Sequence, residues 1–369
     1  TVIRYLDTTE DASSRIDKTY TVTTEYDARG FAVSQVSHSF IFKEGVKDAV
    51  ETGYREILNK EINNRGDASS QEITSYRLEN GVETTLSYQK IYNRHFDPSS
   101  RQADSQLILT YDEKGGLLLD AQEVRSQNFT SGGVAKLQTI ATYDKILASG
   151  DKVDESSLID VKVIRNFSIS PKGEVGFTQI DRYSGGTINA SGQIDPSGLI
   201  DRQEIKTTSF DKFGNSLTQE IVRSYVDDQG TLLFSEAQKI SNLKEDGTSS
   251  LDDYGRARRT TIDTYNSVVR SAGDPQVWTF SGRLERQVIN IAQDGYDKFG
   301  NVLSQKIDTY AATDIAIEGL IDHKVIQNTF FDLKDNTYNE KAARRGQAVT
   351  TTVIRYLDTT EDASSRIDK

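Results

Sequence analysis

FDKFGNSLTQEIVRSYVDDQG, residues 210–230, decides how the rest of the chain is read. It runs from one glycine, Gly214, to the next, Gly230, and places Leu217, Gln219, Ile221 and Tyr225 at odd spacings between them. Residues two apart share one face of a β-strand, so Leu217, Gln219 and Ile221 line one side. Ser216, Thr218, Glu220 and Ser224 line the other, which reads as the wet face. Leu217, Ile221 and Tyr225 also fit a helical stripe. The β-branched and Thr-rich content, bounded by glycines, favours strand.

The same sentence recurs along the chain. Gly300 is followed by Leu303, Gln305 and Ile307, Gly198 by Gln203 and Ile205, and Gly282 by Gln287 and Ile289. Looser copies start at Gly30, Gly116, Gly173 and Gly319. Leu217, Ile221, Leu303, Ile307, Ile205 and Ile289 are expected on a buried face. Gln203, Gln219, Gln287 and Gln305 join them there with their amides paired, because a buried unpaired amide costs ~1–3 kcal/mol.

The turns repeat as well. Tyr26-Asp27-Ala-Arg-Gly30, Tyr111-Asp112-Glu-Lys-Gly115, Phe210-Asp211-Lys-Phe-Gly214 and Tyr296-Asp297-Lys-Phe-Gly300 share the form aromatic–Asp–x–x–Gly. Asp can accept backbone N–H bonds in a tight turn, and Gly supplies the positive φ where the chain reverses. The aromatic is expected to cover the strand end. This turn, followed by an apolar residue, resembles the YD (RHS) repeats of bacterial wall-associated and toxin-delivery proteins. That resemblance implies long antiparallel sheets in a surface structure. Irregular inserts and the lack of a toxin segment favour an open fibre over a closed shell.

A longer repeat frames the short one. Residues 1–18, TVIRYLDTTEDASSRIDK, return without a mismatch as residues 352–369. Residues 1–351 therefore read as one full period of a tandem repeat and 352–369 as the start of the next. An added copy of the strand is the competing reading. The chain has no Met and opens in mid-pattern at Thr1, so it is read as a window of a longer polymer.

Composition suits such an array. Hydrophobic residues make up 35%, below the roughly 45–50% of globular chains, yet 17 Tyr and 14 Phe are too many for a disordered one. Layers that each bury a narrow apolar stripe have this balance. A net charge of −12 argues against nucleic acid as a partner, since phosphates would be repelled. With 0 Cys there are neither disulfides nor thiolate metal sites, and no run is long and apolar enough to span a membrane.

Between the hairpins, residues 46–64 place Val50, Tyr54, Ile57, Leu58 and Ile62 on one helical face and predict a short helix. Residues 148–157, 184–198 and 242–256 are Gly/Ser/Asp-rich and predict long loops.

Motifs that carry chemistry are absent: no phosphate loop, HExxH, nucleophile elbow or GxGxxG occurs. His38, His95 and His323 are scattered, without ligand spacing, and read as strand or surface residues. Oxygen-rich loops at 244–250 and 294–301 make Asp294 and Asp297 weak calcium candidates. Asn128, Asn166 and Asn189 fall in glycosylation triplets, and Trp278 reads as a core anchor rather than a sugar platform. The expectation is a non-enzymatic, mainly β protein: an elongated antiparallel array of hairpins in an extracellular filament at the cell surface. Adjacent copies, joined head to tail, are its expected partners. The alternative is an adhesin module that binds carbohydrate through exposed aromatics.

Overall fold

The computed structural model describes residues 1–5, 14–43, 48–189, 193–274 and 276–368. The chain is mainly β and falls into two compact units. The first, Thr1–Glu174 with Gln179–Ile200, carries β1 (Val2–Tyr5), β2 (Arg15–Tyr26), β3 (Ala32–Ile41), β4 (Val50–Ile62) and β5 (Ala68–Glu79). It continues through β6 (Val82–Phe96), β7 (Ala103–Tyr111), β8 (Leu118–Phe129), β9 (Ala135–Tyr143) and β10 (Leu158–Ile169), with a 3-10 turn at Glu155–Ser157. Each strand from β2 to β10 pairs antiparallel with the one before it.

Two strands, β11 (Val175–Ile188) and β12 (Ile194–Phe210), contribute residues to both units. The second unit, Val175–Thr178 with Asp201–Lys369, repeats the meander with β13 (Ser216–Val226), β14 (Leu232–Ser241), β15 (Arg259–Arg270) and β16 (Trp278–Asn290). It ends in β17 (Ser304–Ala312), β18 (Ile317–Thr329), the short helix α1 (Glu340–Arg344), β19 (Thr350–Tyr356) and β20 (Arg366–Asp368). From β13 to β20 each strand again pairs with its predecessor.

The turns explain this regularity. At Asp211 the Oδ1 atom accepts the N–H groups of Phe213 and Asn215, both at 2.8 Å, while Gly214 N–H donates to the Asp211 carbonyl at 3.1 Å. Gly214 takes φ +91°. This is a type I turn closed by a left-handed glycine, the common three-residue hairpin loop. Asp27 and Asp297 build the same turn, with φ +83° at Gly30 and +91° at Gly300. Asp112 makes a variant one residue longer, accepting from Glu113 and Leu117, with Gly115 at φ +80°.

The device is wider than the aromatic–Asp motif. Asp227 before Gly230 and Asp252 before Gly255 cap their turns identically. Asn63 does so with its amide oxygen, and the hydroxyls of Thr130 and Ser170 each take one N–H. The aromatic is less constrained: Tyr26 is 61% exposed, whereas Tyr111, Phe210 and Tyr296 are half-buried. A fully covered strand end is therefore not what these residues provide.

A second recurring bond lies beside the turns. The side-chain amides of Asn59, Asn93, Asn166, Asn242 and Asn328 donate to the carbonyls of Ala32, Ala68, Ala135, Ser216 and Val302, at 2.8–3.2 Å. Each carbonyl belongs to the residue two past a turn glycine: Gly30, Gly66, Gly133, Gly214 or Gly300. Cross-strand glutamines form a third set. Gln35, Gln71, Gln89, Gln106, Gln138 and Gln219 each donate to the Thr, Asn or Ser directly opposite.

Cross-strand rows match the expected register: Ile205 faces Ile221 and Ile289 faces Ile307. Gln219 pairs with the Thr207 hydroxyl and Gln287 with the Glu285 carboxylate. The burial differs from expectation. Ile221 is buried, while Leu217, Ile205, Ile289, Leu303 and Ile307 are half-buried. The face read as wet carries the core of this unit, because Val222 and Ala237, neighbours on that side, pack with Phe177 and Trp278. In the first unit Leu107, Leu109, Ala121, Ala141, Tyr143 and Val161 form the core. Beside it the buried Glu123 is paired with Arg94 at 2.8 Å and Arg125 at 3.2 Å, as a buried carboxylate requires.

Two expectations are overturned. Residues 50–62 of the predicted helix are strand β4, registered on β3 and β5 with Ile57 between Gln35 and Ile73. Residues 46–47 lie outside the described residues. The apolar spacing here fits both periods, and pairing on two edges outweighs it. Gly53 shows how close the strands lie, since a Cβ there would sit 2.3 Å from the Tyr76 carbonyl oxygen. The predicted loop 184–198 is strand up to Ile188 and again from Ile194. A Cβ at Gly186 would meet Val161 at 2.9 Å, so that glycine marks close strand packing. Residues 242–256 do lack named strands, being tight turns with isolated bridges.

Replacing Asp211 with Ala should destabilise the second unit by ~1–3 kcal/mol, because two backbone N–H groups lose a charged acceptor. Urea unfolding followed through Trp278 fluorescence reads this, and an unchanged midpoint would show that the cap does not hold the turn.

Candidate functional site

The sequence repeated at residues 352–369 folds onto β18, and this seam is the candidate site. On β19, Tyr356 lies opposite His323, Arg355 opposite Lys324, Ile354 opposite Val325 and Val353 opposite Ile326. Alternation along the strands puts these contacts on both sheet faces.

On one face the Arg355 guanidinium donates twice to Asp322, at 3.0 and 2.8 Å. Asp322 is buried at 3% exposure. Burial pushes its carboxyl up, but the bonds from Arg355 and the charge of Lys324 outweigh this and hold it below the usual range. On the other face His323, 3% exposed, lies beside the Tyr356 ring with centroids 6.0 Å apart. His323 Nδ1 meets Asp308 at 2.5 Å, and Nε2 meets Glu361 at 3.2 Å. Glu361 comes from the bend between β19 and β20 and also binds Lys306. Lys306, against some burial and with help from His323, holds the Glu361 carboxyl below its ordinary value.

The described strands of the two copies pair alike. In the first, Arg4 pairs with Asp17 and Tyr5 with Arg15, with a register shift between Arg4 and Tyr5. In the second, Arg355 pairs with Asp368 and Tyr356 with Arg366, with the shift between Arg355 and Tyr356. Partners and irregularity coincide residue for residue. The ion pair recurs too, Arg4 with Asp17 and Arg355 with Asp368. The environment differs: Tyr356 is buried on β18 and Tyr5 is half-buried, while Val2 is 64% exposed against 37% for Val353. Residues 6–13, which match the Glu361 bend, lie outside the described residues.

Most of the remaining sequence candidates have structural partners. The Asp297 Oδ1 holds the turn, and its Oδ2 accepts the Asn301 amide at 2.8 Å. Asp294 is an exposed neighbour, and among the described residues no group of three His, Cys, Asp or Glu is placed to hold a metal ion. His38 meets Glu51 at 2.6 Å and His95 meets Asp104 at 2.7 Å. Of the triplet asparagines, Asn166 donates its amide to Ala135 and Asn189 to Asp195. Among the described residues no helix is long and apolar enough to cross a membrane.

Several aromatic side chains are engaged with one another. The rings of Tyr20, His38, Tyr54 and Tyr76 run in a row across β2 to β5. Centroids lie 6.3, 5.5 and 4.4 Å apart, and Tyr54 stacks on Tyr76 at 18°. Stacking covers the facing sides of Tyr54 and Tyr76. Their hydroxyls are also engaged, Tyr54 with Glu83 and Tyr76 with Glu56. Trp278 is 7% exposed and packs edge-on against Phe177 and Phe280.

No protein-family model matches the chain, and no curated protein sequence matches it.

Arg355→Ala should loosen β19 from β18, an effect reduced because the guanidinium is partly solvated. Hydrogen exchange at Val353–Tyr356 reads this, and unchanged protection would show that the ion pair is idle. Acid should loosen it as well. Asp322 and Glu361 both titrate lower in the folded chain, so their stabilisation is complete above the ordinary carboxylate value of about 4 and is lost as pH falls through the lowered values. Exchange corrected for intrinsic rates, compared at pH 7 and below pH 4, should show protection falling at residues 353–356; equal protection would refute the linkage.

Proposed function

We propose that this chain is one period of an extracellular structural fibre, a tandem β-repeat of the YD type used for attachment or contact between cells, without catalysis. The observation that carries this reading is the repeated hairpin. The described strands of two identical segments pair alike, and one copy is seated on β18 by an ion pair on one face and by packed rings on the other. A sheet that accepts the first strands of the next period continues its own hydrogen-bond ladder into that period. The strand-to-strand pairing within each unit supports the same view, because it needs no distant element to close. The stacked tyrosines and the buried Trp278 weigh against a carbohydrate adhesin.

Chains carrying two, three and four periods of 351 residues in one frame test the proposal. Electron microscopy should show filaments whose length grows by a constant increment per period. Separate beads on flexible joints, with end-to-end distance growing as about the square root of the number of periods, would sink it.

A further inference from the structure

Tyr54 on β4 and Tyr76 on β5 sit directly opposite one another in the antiparallel ladder. Gly53 lets their strands approach, since a Cβ there would lie 2.3 Å from the Tyr76 carbonyl oxygen. The rings stack with centroids 4.4 Å apart and planes at 18°. That is the near limit of the roughly 4.5–7 Å usual for aromatic pairs. The hydroxyls lead in opposite directions. Tyr54 of β4 donates to Glu83 of β6 at 2.9 Å, and Tyr76 of β5 donates back to Glu56 of β4 at 3.1 Å. Each phenol thus reaches toward the other's strand and ends on a carboxylate. Burial first, and then the bond to that carboxylate, raises both phenols above their ordinary value, so each carries its proton at neutral pH.

Two phenols in contact, each with a base at its hydroxyl, are arranged for oxidative coupling. A phenol gives up an electron far more readily when its proton leaves at the same time, and a bonded carboxylate takes that proton. We propose that Tyr54 and Tyr76 are a cross-linking site, where a peroxidase with hydrogen peroxide joins the two rings and clips β4 to β5. Each phenol loses one electron to the oxidant and its O–H proton to Glu83 or Glu56. The two phenoxyl radicals join through a ring carbon next to each C–O, forming one C–C bond. The hydrogen on each joined carbon then moves as a proton to the oxygen, which restores both aromatic rings. The two electrons and two protons released reduce one peroxide to two waters. The link is a covalent tie between strands in a chain whose 0 Cys allow no disulfide. It stands on the geometry of the pair and not on the fibre reading.

The chain carries its own controls. Tyr88 and Tyr111 are also directly opposite, on β6 and β7, but their centroids lie 5.9 Å apart and their planes at 48°. Close, oriented contact is what makes a coupling effectively unimolecular, so this second pair should couple poorly. Tyr26, at 61% exposed, controls for access to the oxidant alone. Trypsin cuts after Lys47, Arg55, Arg65 and Arg77, leaving Tyr54 in residues 48–55 and Tyr76 in residues 66–77. It leaves Tyr88 in residues 78–90 and Tyr111 in residues 102–114, each peptide with a single tyrosine.

The full chain is treated with a haem peroxidase and hydrogen peroxide at about 1 µM, where encounters between chains are rare beside a partner held at millimolar effective concentration or more. Mass spectrometry of the digested monomer should find 48–55 joined to 66–77, lighter by two hydrogens. This product should be at least tenfold more abundant than 78–90 joined to 102–114, or than 48–55 joined to the peptide bearing Tyr26. Glu56→Gln with Glu83→Gln keeps acceptors for both hydroxyls but no base, and should slow the coupling at least threefold. Far-ultraviolet circular dichroism checks that this variant keeps its strands. A folded chain with no Tyr54–Tyr76 product, or with no excess of it over either control, would overturn the site. Unslowed coupling in the folded Gln variant would overturn the part given to the carboxylates.

Discussion

The whole arrangement depends on how the chain is turned round. A carboxylate, amide or hydroxyl at the first turn position gathers the N–H groups that the reversal leaves unpaired, and a glycine in the left-handed region completes it. Once a turn of that length is fixed, so is the register of the two strands leaving it. The asparagine bond to the carbonyl two residues past the glycine then ties the following strand to the same point. Each hairpin thus specifies its own alignment and that of its neighbour.

Electrostatics follows from that geometry. With 56 acidic and 44 basic side chains, a sheet of this sort must place charges on both faces. It does so by pairing across strands, as in Glu204 with Arg270, Asp263 with Arg286 and Asp322 with Arg355. The deepest carboxylates, Glu123 and Asp181, have arginine partners. Paired charges let narrow apolar stripes such as Val222, Ala237 and Trp278 serve as the core, with the low hydrophobic content the sequence shows.

Much of this was legible in the sequence because glycine and aspartate act locally. The strands around Gly214 and Gly300 and the turns at Asp27, Asp211 and Asp297 follow from residues within a few positions of one another. What escaped reading depends on residues distant in the chain. Residues 50–62 carry a spacing that two periods satisfy, and partners on β3 and β5 decide between them. Gly186 looks like a loop signal but is small so that Val161 can approach. The burial of Val222 rather than Leu217 reflects which face meets Phe177 and Trp278. The seam was legible as repetition alone; the roles of Asp322, His323 and Glu361 required the fold, since nothing in the spacing of those residues links them. The asparagines could have been found, since each trails a turn glycine by about one hairpin.

Because every strand within a unit pairs with the strand made just before it, assembly has a natural direction. A ribosome or a secretion channel delivers residues in that order. Each newly emerged strand finds its template already laid down, at a separation of one hairpin rather than across the whole chain, so loop-closure entropy stays small at every step. The growing end is then an exposed edge at any moment, and it is covered as soon as the next dozen or so residues arrive.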